Sequence, residues 1–568
     1  MCGIFGYVGK GNVCKVLHQG LKNLEYRGYD SAGMAALGNS LCFVKNAGTI
    51  DQVFCDAKLP ARGVGIAHTR WATHGKPNST NAHPHFDCRH RIAVAHNGII
   101  ENHGQLREQL QKKGHIFRTE TDTEVIPHLI EEHLHLGQFE AFKKAVGLLK
   151  GSYAIAAILD GSNRIYFARN FSPLVLGVGR ESYVASDVVA FLRWTNRAVF
   201  IEDGELGFIH KGGYYIEREG TPVKREPVVI GWSFEEAAKD GYDHFMLKEI
   251  FEQPRVVKDT LADSRLESFA RHLSRLDRLV VTSAGTSYHA GMAFKYVSAL
   301  PTEVIVSSEF LPTYRDGEVL AISQSGETAD TLKAVRHAKS CGAPVDALVN
   351  VVGSTLTRLA EQTIYTHAGP EIGVAATKTF VSQLAALYAV DRFMKGEPLS
   401  DINIKPALRL NRELRKLALK LMDSRNMFYI GRGPSYVTAM EGALKMKEIA
   451  YVHAEAYAGG ELKHGPLALI EEGVPVVAIC PGGEWRKRML GNVEEVKSRG
   501  ATIIGLGEEG DEELKALSDF FFALPPVEEE LSPVLYTVPL QLLAYHTAVF
   551  LGKDPDKPRN LAKSVTVE

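Results

Sequence analysis

The chain has 568 residues, of which 45% are hydrophobic and 23% are charged, and its formal net charge is −2. It is too long for one domain of roughly 100–200 residues, and it lacks the basic excess of a nucleic-acid-binding protein. Its seven cysteines are odd in number, widely spread and without a CxxC pair. This pattern argues against a disulfide framework or a zinc site and favours a reducing cytoplasm. The longest apolar stretch, 533–551, is broken by Pro539, Gln541 and His546, so we expect a buried strand and helix there and no membrane span.

The first 225 residues predict short strands with helices segregated between them. Apolar residues at helical spacing predict a first helix over 13–26. Short apolar runs then predict strands over 34–37, 64–68, 92–95, 153–159, 164–168 and 183–185. Further helices are expected over 104–113, 122–135 and 139–149. Runs of strands with segregated helices are typical of an α+β layered domain.

The chain begins Met-Cys-Gly-Ile-Phe-Gly, which places a cysteine beside the initiator methionine. Because the residue at position 2 is small, the methionine can be removed, which would give Cys2 a free α-amine. The amine has a reference pKa of about 7.7–8 and can take the thiol proton at neutral pH. A lone amino-terminal cysteine is more often an ordinary residue beside a sheet, so the assignment of Cys2 as a nucleophile depends on the rest of the chain.

Three polar clusters supply the groups that amide hydrolysis by Cys2 would need. In the first, Arg70 can hold a carboxylate with a bidentate fork. In the second, the Asn97 side-chain amide and the Gly98 backbone N–H can stabilise a tetrahedral oxyanion. In the third, Asp122 can bind an ammonium group. Each residue also has a plain alternative, which is a surface arginine, a turn asparagine or a helix cap.

The motifs CGIFG, YRGYDSAG, HTRWATHG, NAHPH, HNGIIEN and TDTE resemble the glutaminase domain of the amino-terminal-nucleophile glutamine amidotransferases over residues 2–225. The resemblance implies a four-layer αββα fold in which Cys2 releases ammonia from glutamine and its α-amine is the base. It implies an oxyanion hole formed by Asn97 and Gly98, and an ammonia path gated by Trp71. The implied glutamine-binding residues are Arg70, Trp71, Thr73, His74, Gly75 and Asp122.

The second half contains an internal repeat, which follows a linker predicted at 228–245. A strand, a tight turn and a helix over 279–288 recur at 428–436, and each copy continues with a further strand, loop and helix. Strand–helix alternation predicts two α/β domains with mostly parallel sheets. The predicted boundaries are 2–227 for the amino-terminal domain, 246–400 and 410–555 for the two repeats, and 556–568 for a carboxyl-terminal tail.

The two copies differ in the loop that follows a strand in each. The first copy has Ser323-Gln324-Ser325-Gly326-Glu327-Thr328 before a helix, where hydroxyls and backbone N–H groups can cradle a phosphate. The second copy has Cys480-Pro481-Gly482-Gly483-Glu484 at the corresponding place. Helix capping is the commoner reason for a hydroxyl-rich loop, but four hydroxyl or amide residues in one turn exceed what capping needs. We therefore expect a phosphate site in the first copy only.

The second copy instead carries Glu441, Lys445 and Glu448 at i, i+4 and i+7, which is one helix face. A salt-bridged surface helix is the plain alternative. A Gly-rich segment that ends at His464 follows and favours a site, since a carboxylate can shuttle a proton between sugar carbons and a histidine can open a sugar ring. In the tail, a desolvated Lys563 can form a Schiff base with a carbonyl.

The motifs GTSYHAG, SQSGETADT, EIGVAATKTF, EGALKMKEIAYVHAEAYAGGELKHGPLAL and PRNLAKSVTVE resemble the sugar-isomerase (SIS) half of the glucosamine-6-phosphate synthase family. The resemblance implies that glutamine and D-fructose 6-phosphate yield D-glucosamine 6-phosphate and L-glutamate, the first step of the hexosamine (UDP-N-acetylglucosamine) pathway, without a metal or organic cofactor. It implies that Glu448 is the C1–C2 proton-transfer base and Lys563 forms the sugar imine. It also implies that His464 opens the sugar ring in the active site of the partner subunit of a homodimer. The implied sugar-phosphate residues are Thr286, Ser287, Ser323, Gln324, Ser325, Thr328 and Val374, with Glu441 and Lys445 in support.

Three other functions are open to such a chain. An amidotransferase with another acceptor would need either an acidic pair followed by a Gly-Thr loop or a Ser-Gly-Gly loop followed by aspartate, and the sequence has neither. A sugar-phosphate-binding regulator without catalysis would have no need of Cys2, Glu448 or Lys563. An ammonia-dependent isomerase or deaminase would have no need of a glutaminase site. The presence of all three residues favours the complete synthase.

Overall fold

The structure is a computed structural model that describes residues 2–55, 59, 63–71, 75–231 and 239–565. Its contacts divide the chain into two compact units. The first comprises Met1–Ala237 with two short additions, Glu327–Ala329 and Ala562–Glu568. The second comprises Ala238–Gly326 and Asp330–Leu561.

The first unit is built on two antiparallel sheets. Their strands are β1 (Gly3–Gly9), β2 (Ser31–Leu37), β3 (Leu41–Ala47), β4 (Gly63–Arg70), β5 (His85–Phe86), β6 (Ile92–Ile100), β7 (Gly151–Leu159), β8 (Ile165–Asn170), β9 (Val175–Val178), β10 (Ser182–Ala185), β11 (Arg197–Phe200), β12 (Glu205–His210), β13 (Gly213–Arg218), β14 (Thr221–Pro222) and β15 (Val228–Val229). The eight-stranded sheet has the order β15-β11-β9-β10-β1-β4-β2-β3, and the seven-stranded sheet has the order β14-β13-β12-β8-β7-β6-β5. The helices are α1 (Val13–Lys22), α2 (Ile50–Phe54), α3 (His103–Lys112), α4 (Val125–His133) and α5 (Gln138–Val146).

Alternation along the strands sends apolar side chains to two layers. Ile4 of β1 and Phe167 of β8 belong to the core between the two sheets, whereas Phe5, the neighbour of Ile4, lies against Gly20 of α1. Helices α3, α4 and α5 cover the other face of the seven-stranded sheet through a separate apolar cluster. Successive side chains on a strand point to opposite faces, so this pattern gives the predicted αββα layers. The α+β fold expected for the amino-terminal half is confirmed.

Several predicted boundaries in this unit are wrong in an informative way. The helix predicted over 122–135 begins only at Val125 and ends at His133. Strand β6 was expected to end at Ala95 but continues through Asn97 and Gly98, which pair with Ala154 and Tyr153 of β7. The helix predicted over 13–26 ends at Lys22, and a 3-10 turn, Glu25–Arg27, follows it.

The second unit contains two five-stranded parallel sheets. Their strands are β16 (Leu279–Ser283), β17 (Thr302–Val306), β18 (Glu318–Ser323), β19 (Val345–Val349) and β20 (Thr363–Tyr365) in one, and β21 (Asn426–Gly431), β22 (His453–Ala458), β23 (Pro475–Cys480), β24 (Thr502–Glu508) and β25 (Phe520–Leu524) in the other. In both sheets the second strand lies at the edge, beside the first, and the third, fourth and fifth follow in order. The tight turns after the first strands also match, since Gly285 has φ 57° and ψ −131° and Gly433 has φ 54° and ψ −134°. The predicted duplication of an α/β domain is therefore observed.

Helices surround these sheets, and most of the long ones share one apolar core. They are α6 (Phe245–Leu261), α7 (Arg265–Leu273), α8 (Thr286–Val297), α9 (Phe310–Thr313), α10 (Ala329–Ser340), α11 (Thr355–Leu359), α12 (Lys378–Lys395), α13 (Lys405–Arg409), α14 (Asn411–Leu421), α15 (Pro434–Lys445), α16 (Arg486–Lys497), α17 (Glu512–Leu517) and α18 (Ser532–Phe550). The strand expected within 533–551 is absent, since α18 takes in nearly all of that stretch and is buried over most of its length. None of the helices in the described ranges is long and apolar enough to cross a membrane.

The predicted linker is only partly described. Val228 and Val229, its first two residues, form β15 and pair with Arg197 and Ala198 of β11. Residues 232–238 lie outside the described residues. Helix α6 then begins at Phe245 and contains Pro254 in its interior.

Candidate active sites

The Cys2 thiol lies against the backbone that follows β4. The Trp71 N–H donates to Cys2 Sγ over 3.2 Å, and the thiol in turn lies 3.4 Å from the Trp71 carbonyl oxygen. Burial raises the pKa of the Cys2 thiol, while the Trp71 N–H and the charges of Arg70 and Arg27 act in the opposite direction. Because the net effect favours the neutral thiol, nucleophilic attack needs a base that removes the proton.

Asn97 holds the main chain of Cys2. Its Nδ2 donates to the Cys2 carbonyl oxygen over 3.0 Å and to Ser186 Oγ over 2.8 Å. Its Oδ1 lies 3.0 Å from His68 Nε2. Burial lowers the pKa of His68 to about 3, so this ring is neutral at physiological pH and its Nε2–H can fix the orientation of the Asn97 amide. Ser186 and His68 were not among the residues predicted for the site, although His68 stands in the HTRWATHG motif.

The backbone conformation and surroundings of Gly98 leave no room for a side chain at this position. Its φ is 122°, and a Cβ placed there would lie 2.1 Å from the Ser152 carbonyl oxygen of β7. A non-glycine residue would therefore combine an unfavourable φ with a backbone clash. The glycine lets β6 stay paired with β7 directly beside Asn97.

The predicted clamps for glutamine converge near the thiol. Burial lowers the pKa of Arg70, and the Cys2 thiol and the carboxylates of Asp122 and Asp30 oppose that shift. Arg70 also donates to the Gly75 carbonyl over 3.5 Å. Asp122 Oδ2 accepts the Ile100 N–H at 2.8 Å, which ties it to the end of β6.

The remaining predicted glutamine residues are only partly placed. Trp71 follows β4, and its ring lies edge-on to Tyr29 with centroids 5.7 Å apart. Thr73 and His74 lie outside the described residues. Arg27, which sequence reasoning did not select, donates from Nε to the Cys2 carbonyl over 3.3 Å.

A buried cluster of charges occupies the end of α15 in the second unit; we call Glu441, Lys445 and Glu448 the carboxylate–lysine cluster. Lys445 Nζ lies 3.2 Å from Glu441 Oε1 and 2.5 Å from Glu448 Oε2. Glu441 and Lys445 are fully buried, whereas the Glu448 side chain is 22% exposed. The α-helix ends at Lys445, and Met446–Ala450 form a π-helical turn that contains Glu448. Such π-helical turns are frequent at functional sites.

Neighbouring groups complete this cluster. His289 Nδ1 lies 2.7 Å from Glu441 Oε2, and Thr286 Oγ1 lies 3.1 Å from both Glu441 Oε1 and Lys445 Nζ. Burial acts to raise the pKa of Glu441, but Lys445 and His289 outweigh it and the net pKa is lowered. Burial acts to lower the pKa of Lys445, but the two carboxylates outweigh it and the net pKa is raised. The charged forms of Glu441 and Lys445 are thus stabilised by their neighbours.

The hydroxyl-rich loop of the first repeat follows β18. Ser323 Oγ accepts the Gly326 N–H at 3.0 Å, and the Gln324 carbonyl accepts the Asn350 N–H at 3.1 Å. Part of the loop is thus a self-capped turn, as the plain alternative expects. Ser325 and Thr328 also take part in polar interactions. The structure fixes the loop at the carboxyl end of a parallel strand, which is where open α/β sheets bind ligands.

Other predicted sugar residues are buried or contribute backbone contacts. Thr286 and Ser287 begin α8, and Ser287 Oγ accepts from Gln383 Nε2 at 3.1 Å. Val374 is 8% exposed, and its N–H donates to the Asp556 carbonyl over 3.3 Å.

His464 and Lys563, the two other residues expected at the sugar site, belong to different units of the chain. His464 ends a 3-10 turn, Gly459–His464, and its side chain is exposed. A cleft beside Glu448 is lined by Tyr451, His453, Arg559 and Asn560 among others, and in the described part of the chain His464 is not one of them. Lys563 is half-buried and belongs to the first unit.

Comparison with known proteins matches both halves to families. Residues 68–193 match the glutamine amidotransferase domain family, and residues 272–390 and 420–551 each match the SIS domain family. A solved structure of the carboxyl-terminal domain of glucosamine-fructose-6-phosphate aminotransferase from Francisella tularensis is 37% identical, covers 56% of this chain and all of that one, and has a TM-score of 0.52.

Curated relatives match over the full length. Glutamine–fructose-6-phosphate aminotransferase [isomerizing] of Pyrococcus horikoshii is 51% identical with 100% of both chains covered, and the protein of the same name from Thermotoga maritima is 46% identical with the same coverage. The fold and sites thus define a glutamine amidotransferase joined to a pair of SIS domains. The chain belongs to the glutamine–fructose-6-phosphate aminotransferase (isomerizing) family.

Proposed function

We propose that this chain transfers glutamine-derived ammonia to D-fructose 6-phosphate and isomerises the product to D-glucosamine 6-phosphate, with release of L-glutamate. Family membership over the whole length supports the proposal. The observation that carries it is the contact of the Cys2 thiol with the Trp71 N–H beside Arg70, whose charge is coupled to Cys2 and Asp122. That arrangement provides a nucleophile, a carboxylate clamp and an ammonium clamp for one amino acid.

In the first half-reaction, Cys2 attacks the glutamine amide carbon. The thiol proton passes to the α-amine that Cys2 would carry once Met1 is removed, and then to the leaving ammonia. The tetrahedral oxyanion is held by Asn97 Nδ2 and the Gly98 N–H. Water then hydrolyses the thioester and releases glutamate.

To hold the oxyanion, Asn97 must give up one of its present hydrogen bonds. Both hydrogens of its Nδ2 are used, on the Cys2 carbonyl and on Ser186 Oγ. A substrate oxyanion must therefore replace one of these two acceptors, and the Ser186 bond is the one whose exchange leaves the Cys2 main chain in place. Ser186 would keep the Ile4 N–H that it already accepts at 2.8 Å.

In the second half-reaction, burial separates the roles of the two carboxylates. Glu441 is fully buried and bonded to His289 and Thr286, so it orients Lys445 rather than meeting the sugar. Glu448 is partly exposed and lines the cleft with Arg559 and Asn560, so it is the carboxylate that moves the proton between C2 and C1. The Ser323–Thr328 loop, with Thr286, Ser287 and Val374, holds the sugar phosphate, and Lys563 forms the imine.

Product stoichiometry tests the proposed reaction. Purified protein with glutamine and fructose 6-phosphate should form glucosamine 6-phosphate and glutamate in equal amounts, measured in one reaction by mass spectrometry. Glucose 6-phosphate and ribose 5-phosphate serve as acceptor controls and should yield no amino sugar. Glutamate without amino sugar from fructose 6-phosphate would show that the acceptor is wrong.

The proposal includes a homodimer in the cytoplasm. Exposed His464, which does not line the cleft of its own chain, supports its use in a partner's cleft. The seven cysteines are widely spread along the sequence without a CxxC pair, which supports a reducing compartment. Glu448→Gln and His464→Ala should each be inactive alone, yet a mixture refolded or co-expressed should regain part of the activity, because one site of the mixed dimer keeps both native groups. A mixture as inactive as its components, or a monomer by light scattering, would refute shared sites.

A further inference from the structure

Four side chains from three separate segments converge on one point of the first unit, away from Cys2. Cys88 lies in the turn between β5 and β6, His115 lies after α3, and His128 and Glu131 lie on α4. One potential ligand atom from each residue lies within 4.8 Å of all the others. We call this group the Cys88 cluster.

Four of the six distances between ligand atoms in the Cys88 cluster are close to those of a tetrahedral site. Cys88 Sγ lies 3.7 Å from His115 Nδ1 and 3.6 Å from His128 Nδ1. Glu131 Oε2 lies 3.1 Å from His115 Nδ1 and 3.5 Å from His128 Nδ1. With Zn–S of about 2.3 Å and Zn–N or Zn–O of about 2.0–2.1 Å, tetrahedral angles separate sulfur from nitrogen by about 3.6 Å and nitrogen from oxygen by about 3.3 Å.

The groups around the cluster are those that support metal ligands. His115 Nε2 lies 3.1 Å from Glu132 Oε2, and His128 Nε2 faces Glu124 Oε1 at 3.8 Å. The Ile116 N–H approaches Cys88 Sγ at 3.5 Å. Histidines that bind metal through one ring nitrogen commonly direct the other towards a carboxylate, which fixes the ring and raises its basicity.

The hydrogen-bond geometry of His115 favours a metal site over an ordinary polar cluster. His115 has a carboxylate oxygen 3.1 Å from each ring nitrogen, but a neutral imidazole has only one N–H. A cation at Nδ1 removes the conflict, because Nε2–H can then donate to Glu132. The competing explanation is an ordinary polar cluster in which His115 contacts the two carboxylates and no cation is bound.

We propose that Cys88, His115, His128 and Glu131 bind one zinc ion. One thiolate, two imidazoles and one carboxylate suit zinc better than the hard oxygen-preferring cations. Four protein ligands leave no position for a substrate or a reactive water, so the site is structural. It joins the β5–β6 turn and the segment after α3 to α4, and these elements flank β6, which carries Asn97, and the loop that carries Asp122.

The sequence alone argues against zinc because its cysteines are isolated. The site uses a single cysteine, and its other ligands come from two later segments, so no CxxC or HxxxH signature marks it. Only His128 and Glu131 stand at a recognisable i, i+3 spacing on a helix.

Metal analysis of tag-free protein tests the proposal. Wild type purified without chelator should contain about one zinc per chain by inductively coupled plasma mass spectrometry. Cys88→Ala and His128→Ala should contain at least roughly tenfold less. Cys42→Ala, a cysteine on β3 of the same unit, should match wild type. A zinc content that the two cluster variants leave unchanged would overturn the proposal.

A second measurement guards against variants that fail to fold. Wild type stripped by chelator and titrated with Co²⁺ should develop the sulfur-to-cobalt charge-transfer band of a thiolate ligand, and Zn²⁺ should displace it. Cys88→Ser should bind Co²⁺ without that band, with the same circular dichroism spectrum as wild type. Stripped wild type that takes up neither ion from micromolar solution would also overturn the proposal and leave an ordinary polar cluster as the explanation.

Discussion

Replacement of Lys445 by methionine tests what its ammonium group contributes to the carboxylate–lysine cluster, as distinct from general damage to the fold. The change keeps the length of the side chain but removes the ammonium group that contacts both Glu441 and Glu448. Removing one partner of a buried ion pair costs about 3–5 kcal/mol. Glu441 keeps the His289 and Thr286 contacts, so we expect a loss near 3 kcal/mol at the lower end of that range.

The pH dependence of stability should change sign. In wild type the pKa of Glu441 is lowered, so its contribution to folding is present above the unfolded pKa of about 4.3 and is lost as pH falls. Without Lys445, burial dominates and the folded pKa rises above the unfolded one. The free energy of unfolding of the variant should then decrease as pH rises from 5 towards 8, and thermal unfolding followed by calorimetry measures both slopes.

Activity and two further variants complete this test. Amino-sugar formation by Lys445→Met should fall by at least about 10²-fold, the usual size of a general acid–base contribution, while glutamate release by the first unit is unchanged. Lys416→Met, on the exposed face of α14, should match wild type. The double variant Glu441→Gln, Lys445→Met should regain most of the stability, because no buried charge is left unpaired. A single variant as stable as wild type at pH 8, or one that loses glutamate release in parallel, would refute the reasoning.

Two other predictions concern backbone space and a buried carboxylate. Gly98→Ala places Cβ 2.1 Å from the Ser152 carbonyl, so glutaminase activity should fall by at least about 10²-fold. Gly104→Ala, on α3 with nothing within 4 Å of the new Cβ, should stabilise the protein by about 0.5–1 kcal/mol; equal effects of the two changes on glutamate release would contradict the strain argument. Burial and the neighbouring Glu318 raise the pKa of Asp346 to about 7, so Asp346 destabilises the fold progressively as pH rises from about 4 to 7. Asp346→Asn should therefore raise the melting temperature at pH 8 and leave it nearly unchanged at pH 4.5; an equal shift at both values would show that its ionisation is not responsible.

The sequence predicts which polar residues lie close together more reliably than it predicts element boundaries. Cys2, Arg70 and Asp122 stand in short motifs, and their residue types indicate a nucleophile, a carboxylate clamp and an ammonium clamp. The structure brings these three residues together. The strand predicted over 92–95 stops short of Asn97 and Gly98, and both of these residues disfavour strands. Pairing with Ala154 and Tyr153 across the β6–β7 ladder outweighs that preference, which is a tertiary effect that no local pattern contains.

The sequence does not identify residues whose role is to position other side chains of the site. Ser186 lies far along the chain from Asn97 and carries no motif of its own, and His289 becomes relevant only because α8 packs against α15 and sets it beside Glu441. The Cys88 cluster shows the same limit, since its members come from a turn, a loop and a helix. By contrast, the repeat of strand, turn and helix was readable because both copies need a glycine with positive φ at the same place.

The most direct test of the proposed function compares the ammonia sources of wild type and Cys2→Ala. Wild type should form glucosamine 6-phosphate from fructose 6-phosphate and glutamine. The variant should form none from glutamine but should still form it from added ammonium salt at high pH, where free ammonia is available and the second unit is intact. Amino-sugar formation from glutamine by Cys2→Ala, or no formation by the variant from ammonia, would contradict the division of the reaction between the two units.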